Sequence, residues 1–243
     1  MKPRVIVLRT TGTNCDIETA QSFKYAGADA DIAHINELLS KKKKLSNYSI
    51  LSIPGGFSYG DDISAGKIFS LKMRVLKKEI EKFIKDKKPV IGICNGFQVL
   101  VKAGYLPENK FNRQIAALFT NDNGHFLCKW VKVKLNKKSP CIFTRDLPET
   151  FDLPIAHGEG KFIVKNKKTL KDIISNNLNV LSYIENPNGS IMDIAGLCNK
   201  DGNVFGLMPH PERNFFSLTS GKKNKNELEI GYYIFKNAVD YVR

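Results

Sequence analysis

Residues 90–98 read VIGICNGFQ, and their reading decides the fold. Val90, Ile91 and Ile93 form a short run that is apolar on both faces, the signature of a strand inside a parallel sheet covered by helices. From Asn95 the pattern turns helical as far as Ala103, where Gly104 offers a stop. Cys94 falls on the tight turn between strand and helix, with Gly92 and Gly96 two residues to either side. This is the G-x-nucleophile-x-G elbow, in which the turn projects the nucleophile above the sheet and the glycines relieve crowding. A sulfur there sits at a helix N-terminus, whose unpaired amides and positive dipole end favour negative charge. A small buried cysteine packed between two glycines reads the same way, so the pentapeptide needs partners.

Outward from this element the chain alternates β-branched runs with amphipathic segments. Residues 5–8 predict a strand, 17–25 a helix, 30–35 a second strand, and 49–53 a third that runs into PGGFSYGDD; a long amphipathic helix is expected over 63–85. Beyond residue 115 the period changes to two, with Trp130, Lys132 and Lys134 opposing Val131, Val133 and Leu135, which predicts antiparallel strands attached to the first sheet. Further strands are expected near 154–157, 180–184, 190–197 and 203–208, several joined by Asn-Gly or Asp-Gly turns, and 226–241 as a closing helix. With no internal repeat and no low-complexity linker, the expectation is one α/β domain over 1–243. Its central sheet is open and mostly parallel, flanked by helices and extended by antiparallel strands.

Composition narrows the function. At 42% hydrophobic and 26% charged residues, the chain can bury a core and is neither disordered nor collagen-like. Five cysteines, odd in number and never in a CxxC pair, argue against a disulfide framework or a thiolate zinc site. No apolar run reaches membrane-spanning length and the N-terminus lacks a secretory pattern, so a soluble, cytoplasmic protein is expected. The net charge of +14 comes largely from lysine runs at 41–44, 77–78, 85–88, 137–138, 165–171 and 222–225. These lack interleaved aromatic residues, which favours a solvated lysine surface over a nucleic-acid footprint. No GxGxxG opens a helix, the glycines of 55–60 lack the Lys-Ser/Thr pair of a phosphate loop, and there is no HExxH. Neither a nucleotide nor a metal is therefore expected in this chain.

The partners of Cys94 are sought in 203–213, NVFGLMPHPER, a second buried strand leading to His210 between two prolines. At the carboxyl end of a strand, where open α/β sheets place their sites, His210 is a candidate general base toward Cys94, and Glu212 a candidate carboxylate to hold its tautomer. Taken singly, they also read as a loop histidine and a surface charge. Pro54-Gly55-Gly56, after the third strand, allows close main-chain approach; with the amide of Asn95 it could form an oxyanion hole, or it is an ordinary type II turn.

Together these motifs closely resemble the class I, triad-type glutamine amidotransferases: PGG at 54–56, G-x-C-x-G-x-Q at 92–98, and H-x-E at His210/Glu212. A finer resemblance is to the glutaminase subunits of phosphoribosylformylglycinamidine synthases. TGTNCD (11–16), GGFSYGD (55–61), GICNGFQVLVKAGYLP (92–107), HGEGKF (157–162), PNGS (187–190), IAGLCN (194–199) and GLMPHPER (206–213) carry it over most of the chain. The resemblance implies a flavodoxin-like fold and hydrolysis of L-glutamine by Cys94, with His210 as proton shuttle and Glu212 as its orienter. It implies that the backbone amides of Gly56 and Asn95 form the oxyanion hole, that Gln98 contacts bound glutamine, and that Gly55 belongs with them to the substrate-binding residues. It also implies delivery of ammonia to a separate large synthetase subunit, which would use ATP and Mg and convert formylglycinamide ribonucleotide to the amidine in purine biosynthesis. A third small subunit belongs to the same expectation.

His157, in HGEG, is open between a substrate or partner contact and a polar turn. His34 and His125 read as structural or surface residues, and Cys15 and Trp130 as packing. The family commonly has proline at Thr11 and arginine at Ser64. Two other readings compete: the same chemistry serving guanylate, cytidylate or anthranilate synthesis, and a non-catalytic basic binding module on the same fold.

Overall fold

The alternation of strands and helices is realised in a computed structural model, which describes residues 1–108, 113–217 and 228–243. The first half runs β1 (Arg4–Arg9), α1 (Asp16–Tyr25), β2 (Asp29–His34), α2 (Ile35–Leu39), β3 (Ile50–Ile53), α3 (Lys67–Val75), α4 (Lys77–Lys85), β4 (Val90–Ile93) and α5 (Asn95–Ala103). The second half runs β5 (Ala116–Phe119), β6 (Leu127–Leu135), β7 (Thr150–His157), β8 (Lys161–Val164), α6 (Lys167–Ser175), β9 (Asn179–Tyr183), β10 (Ile194–Cys198), β11 (Val204–Leu207) and α7 (Ile230–Tyr241). The main sheet has the order β2-β1-β3-β4-β11-β10-β9-β6-β7. From β2 to β11 every neighbour is parallel, and beyond β11 every neighbour is antiparallel. Only β10 and β6 therefore oppose the common direction, and the sheet is mostly parallel with an antiparallel extension, as the hydrophobic pattern predicts.

Each half takes the burial its sequence dictates. β3, β4 and β11 are buried at every residue because helices cover both faces of the parallel half. In β6, Val131, Val133 and Leu135 are buried while Lys132 and Lys134 face solvent. The same period puts Trp130 on the lysine face, where it is 42% exposed, so the expected packing role is not what the fold gives it. One continuous apolar core runs from Val5 in β1 to Val239 in α7, and an edge-on contact of Phe23 with Phe235 at 4.9 Å ties α1 to α7.

Several boundaries differ from expectation for local reasons. The helix expected over 63–85 starts at Lys67, after the left-handed Gly66, and breaks at Leu76, whose N–H closes on Met73 O at 3.1 Å while its residue opens α4. β5 does not join the main sheet but pairs with β8 in a two-stranded ribbon. The strand expected over 190–197 begins at Ile194, behind a 3₁₀ turn. The lysines at 222–225 and the first residues of the expected closing helix lie outside the described residues. Among the described residues no helix is long and apolar enough to cross a membrane.

The parallel half positions the site. β1, β3, β4 and β11 share one direction, so the loops after them, carrying Cys15, Gly55-Gly56, Cys94 and His210, emerge at the same carboxyl edge.

Candidate active site

Cys94 stands at the β4–α5 turn with φ +50° and ψ −105°, a conformation that costs a non-glycine residue roughly 1–3 kcal/mol and persists only where the surroundings over-determine it. They do. Its N–H donates to Leu207 O at 2.8 Å, tying the turn to β11, and its carbonyl accepts from Phe97 and Gln98 at 3.0 and 3.1 Å. A Cβ on Gly96 would run into the carbonyl of Ile53, and one on Gly92 would lie 2.6 Å from Gly96 O, so the elbow closes only with glycine at both places. The Cys94 thiol, nearly buried, contacts Ala156 O of β7 at 3.5 Å.

His210 follows β11 directly, and its N–H donates to Pro154 O at 2.8 Å. Pro211 opens a 3₁₀ turn that brings Glu212 back under the ring, with Nδ1 to Oε1 at 2.5 Å and both side chains buried. Burial alone would lower the imidazole's proton affinity. The Glu212 carboxylate, followed by the thiols of Cys94 and Cys15, outweighs it and holds His210 well above the ordinary histidine range. Nε2 is buried without a conventional hydrogen bond and lies on the side of the two thiols. Gly55 makes room for this meeting: a Cβ there would be 2.8 Å from His210 Cε1, 3.2 Å from Cys15 Sγ and 3.5 Å from Cys94 Cβ. Chain segments more than a hundred residues apart thus converge on one point.

Around them are the other residues expected from the sequence. Gly56 takes φ +142° and bridges Thr13, and a side chain there would meet Asn14 N and Gly12 O at 2.8 Å. Among the described residues no acceptor takes the N–H of Gly56 or of Asn95. Asn95 Nδ2 donates to Asp61 Oδ1 at 3.0 Å and to Gln98 Oε1 at 2.9 Å, and Gln98 Nε2 donates to Glu159 O at 2.7 Å, so the amide of Gln98 is clamped at both ends. A cavity of about 150 Å³ opens over Cys94, lined by Gly56, Asp61, Gln98, Ala156, His157 and Glu159 among others. At ~30 Å³ per water it has room for about five, the scale of a short polar side chain. A larger lysine-lined cavity of about 410 Å³ lies by Leu38, Leu45 and Phe83, at the amino end of the strands, away from this chemistry.

Two features were not legible from the motifs. Cys15 is not simple packing: its sulfur accepts from Arg213 at 3.1 Å and sits beside His210. Burial leads the effects that push its thiol up, partly offset by His210. Lys102, in α5, is buried and binds Ala65 O and, at 3.0 Å, Ser64 Oγ, with Glu159 3.8 Å away. Its proximity to residue 64 needed the fold. Donor atoms of Cys15, His210 and Glu212 lie within 4.8 Å of one another, the spacing of a metal site. His210 Nδ1, Glu212 Oε1 and the Cys15 sulfur already have partners in the His210–Glu212 bond and the Arg213 guanidinium, while His210 Nε2 and Glu212 Oε2 have none among the described residues.

Comparison with known proteins decides the family. The model of the CobB/CobQ-like glutamine amidotransferase domain matches residues 2–242. The phosphoribosylformylglycinamidine synthase subunit PurQ of Methanococcus maripaludis is 42% identical over 98% of this chain and 97% of its own. That of Treponema denticola is 42% identical over the full length of both. The chain belongs to the PurQ family of glutamine amidotransferases. A structure of PurLQS from Thermotoga maritima covers all of this PurQ-family chain and all of its own, with a TM-score of 0.80 and 33% identity. A second glutamine amidotransferase structure from Thermotoga maritima, at 19% identity and a TM-score of 0.55 over 91% of this chain and 80% of its own, shares the fold.

Proposed function

We propose that this chain is the glutaminase subunit of a phosphoribosylformylglycinamidine synthase, hydrolysing glutamine through Cys94, His210 and Glu212 and passing ammonia to a separate synthetase. The observation that carries the reading is the convergence at Gly55. A strained cysteine, a buried His–Glu pair and two open main-chain N–H groups meet at one sheet edge, in a chain similar over its length to PurQ subunits.

The chemistry follows from the geometry. Cys94 Sγ, its proton already held on His210 Nε2, adds to the γ-carboxamide carbon of glutamine. The carbonyl oxygen becomes an oxyanion that the N–H groups of Gly56 and Asn95 are placed to receive, while the clamped amide of Gln98 orients the substrate. His210 returns the proton to the amide nitrogen, the C–N bond breaks, and ammonia leaves a γ-glutamyl thioester on Cys94. Water then attacks the thioester, its proton passes through His210 to the departing sulfur, and glutamate is released. Glu212 keeps Nδ1 protonated and stabilises the imidazolium in both halves.

The ammonia acceptor is formylglycinamide ribonucleotide, held with ATP and Mg on the large synthetase, and this chain needs no cofactor of its own. The PurLQS match supports such a partner, and a third small subunit completes the proposed assembly. The test is co-expression with candidate synthetases. Glutamine-dependent formation of formylglycinamidine ribonucleotide with the purine synthetase is expected. Amidation of a guanylate, cytidylate or anthranilate precursor instead would overturn the reading.

A further inference from the structure

The segment between β3 and α3 closes one side of the glutamine cavity with Asp61 and Ala65. Its backbone is strained. Tyr59, Asp61 and Ile63 take left-handed φ values of +56°, +54° and +70°, a region that residues other than glycine enter only at a cost. Ile63 is β-branched, the type least suited to it, and at 85% exposed its own side chain does little to hold it there. Such a conformation persists only where its surroundings over-determine it. Tyr59 N–H on Thr11 O at 2.8 Å fixes the near end. Lys102 fixes the far end. It stands one turn after Gln98 on α5 and is 5% exposed. Its ammonium donates to Ala65 O and, at 3.0 Å, to Ser64 Oγ, and it faces Glu159 Oε2 at 3.8 Å. That carboxylate oxygen accepts the Ala65 N–H at 3.2 Å, so the Lys102–Glu159 pair grips both polar groups of Ala65. Burial lowers the Lys102 ammonium below the usual lysine range, and the Glu159 and Asp61 carboxylates oppose the fall.

The grip reaches the substrate side of the cavity through the same residues. Glu159 holds the loop with its carboxylate and Gln98 Nε2 with its carbonyl. Asp61 Oδ1 takes the Gly66 N–H at 3.3 Å and Asn95 Nδ2 at 3.0 Å, and Asn95 Nδ2 donates in turn to Gln98. We infer that Lys102 is a positioning residue for the glutamine reaction: its ammonium latches residues 61–66 onto α5 and thereby holds the side-chain amides of Asn95 and Gln98 in the array that receives the substrate. This rests on the glutaminase reading above. Lys102 does not line the cavity over Cys94. Cys94, His210 and the main-chain N–H of Asn95 are set by β4, β11 and the elbow, so loosening the latch changes how glutamine is held more than how it is cleaved. An interaction made equally with bound substrate and transition state shows in KM and leaves kcat where it was. A lysine that only stabilised α5 would do the opposite, reducing the intact complex and its apparent kcat without moving KM.

The test compares Lys102→Met, which keeps the stem and removes the ammonium, with Lys102→Arg, which returns charge and donors. In the assembled complex K102M should raise KM for glutamine about tenfold, the size of one charge-assisted hydrogen bond, while kcat stays within about threefold. K102R should recover most of the loss. Synthesis from added ammonia bypasses the cavity, should match the wild type in both variants, and reports that each complex is intact. A KM that does not move, a kcat that falls as far as KM rises, or a K102R that fares no better than K102M would each overturn the assignment. Should K102M not assemble, Ser64→Ala removes one acceptor of the ammonium at a half-buried position. It should raise KM about two- to threefold with kcat unchanged, and an unmoved KM there would equally refute the latch. Failure of the glutaminase reading itself would show differently, as glutamine hydrolysis that survives loss of the Cys94 thiol.

Discussion

Adding one methyl group at Gly55 should stop the chemistry while sparing the fold. The Cβ of Gly55→Ala would stand 2.8 Å from His210 Cε1, and ordinary contact begins near 3.4 Å, so the imidazole must retreat by about 0.6 Å. It has nowhere easy to go. His210 is 1% exposed and its Nδ1 is held at 2.5 Å by Glu212, a charge-assisted bond worth roughly 1.5–3 kcal/mol. A misplacement of 1 Å can cost about a hundredfold in rate, so a loss of about one to two orders of magnitude in glutamine turnover is expected. Gly55 has no left-handed backbone to strain, and overpacking by one methyl costs about 1–3 kcal/mol, which a domain of this size survives. The assay is glutamine-dependent against ammonia-dependent synthesis in the assembled complex, with urea unfolding of the chain alongside. Full glutamine turnover in a folded Gly55→Ala complex would refute the claim that His210 must sit where the structure puts it.

Other outcomes follow from the same geometry. Glu212→Gln removes the main charge that raises His210 and should lower glutamine turnover by about 10²–10⁴, with ammonia-dependent synthesis retained, as steady-state kinetics on both nitrogen sources will show. Gly96→Ala drives a methyl into the Ile53 carbonyl and should reduce unfolding free energy by about 3 kcal/mol or more, measurable by denaturant titration. His157 has a depressed value in the fold, so the unfolded chain binds more protons between pH 6.5 and about 4 and stability falls as pH drops through that window, by up to about 3 kcal/mol. H157N should remove that part of the acid-side loss, whereas the raised His210 contributes stability below pH 6.5 that fades as pH rises, and the difference is read from urea midpoints at pH 7 and pH 4.5.

How much was legible in the sequence depended on whether the signal was local. The elbow at Cys94 was readable because strand, turn and helix are contiguous and both glycines flank the nucleophile. The buried strand before His210 was equally readable, and Glu212 lies only two residues on. What pairs these segments is the adjacency of β4 and β11, a contact between residues over a hundred apart that no local pattern encodes. The same holds for Cys15: its setting beside Arg213 and His210 comes from the strand order β1-β3-β4-β11, which brings the loops after β1 and β11 to one edge. The break at Leu76 was hidden because the amphipathic pattern runs on through it, and β8 because FIV in 162–164 is too short to declare a period. His157 was left open because its setting depends on Asn121 and Gly160, which hold the ring and make its space.

The central claim is that a thiol on the β4–α5 elbow breaks down glutamine and that the synthetase needs this chain only for the ammonia it yields. Cys94→Ala in the assembled complex tests it most directly. Glutamine hydrolysis and glutamine-dependent synthesis should both vanish while synthesis from added ammonia continues at the wild-type rate. A Cys94→Ala complex that still hydrolyses glutamine at the normal rate would contradict the account.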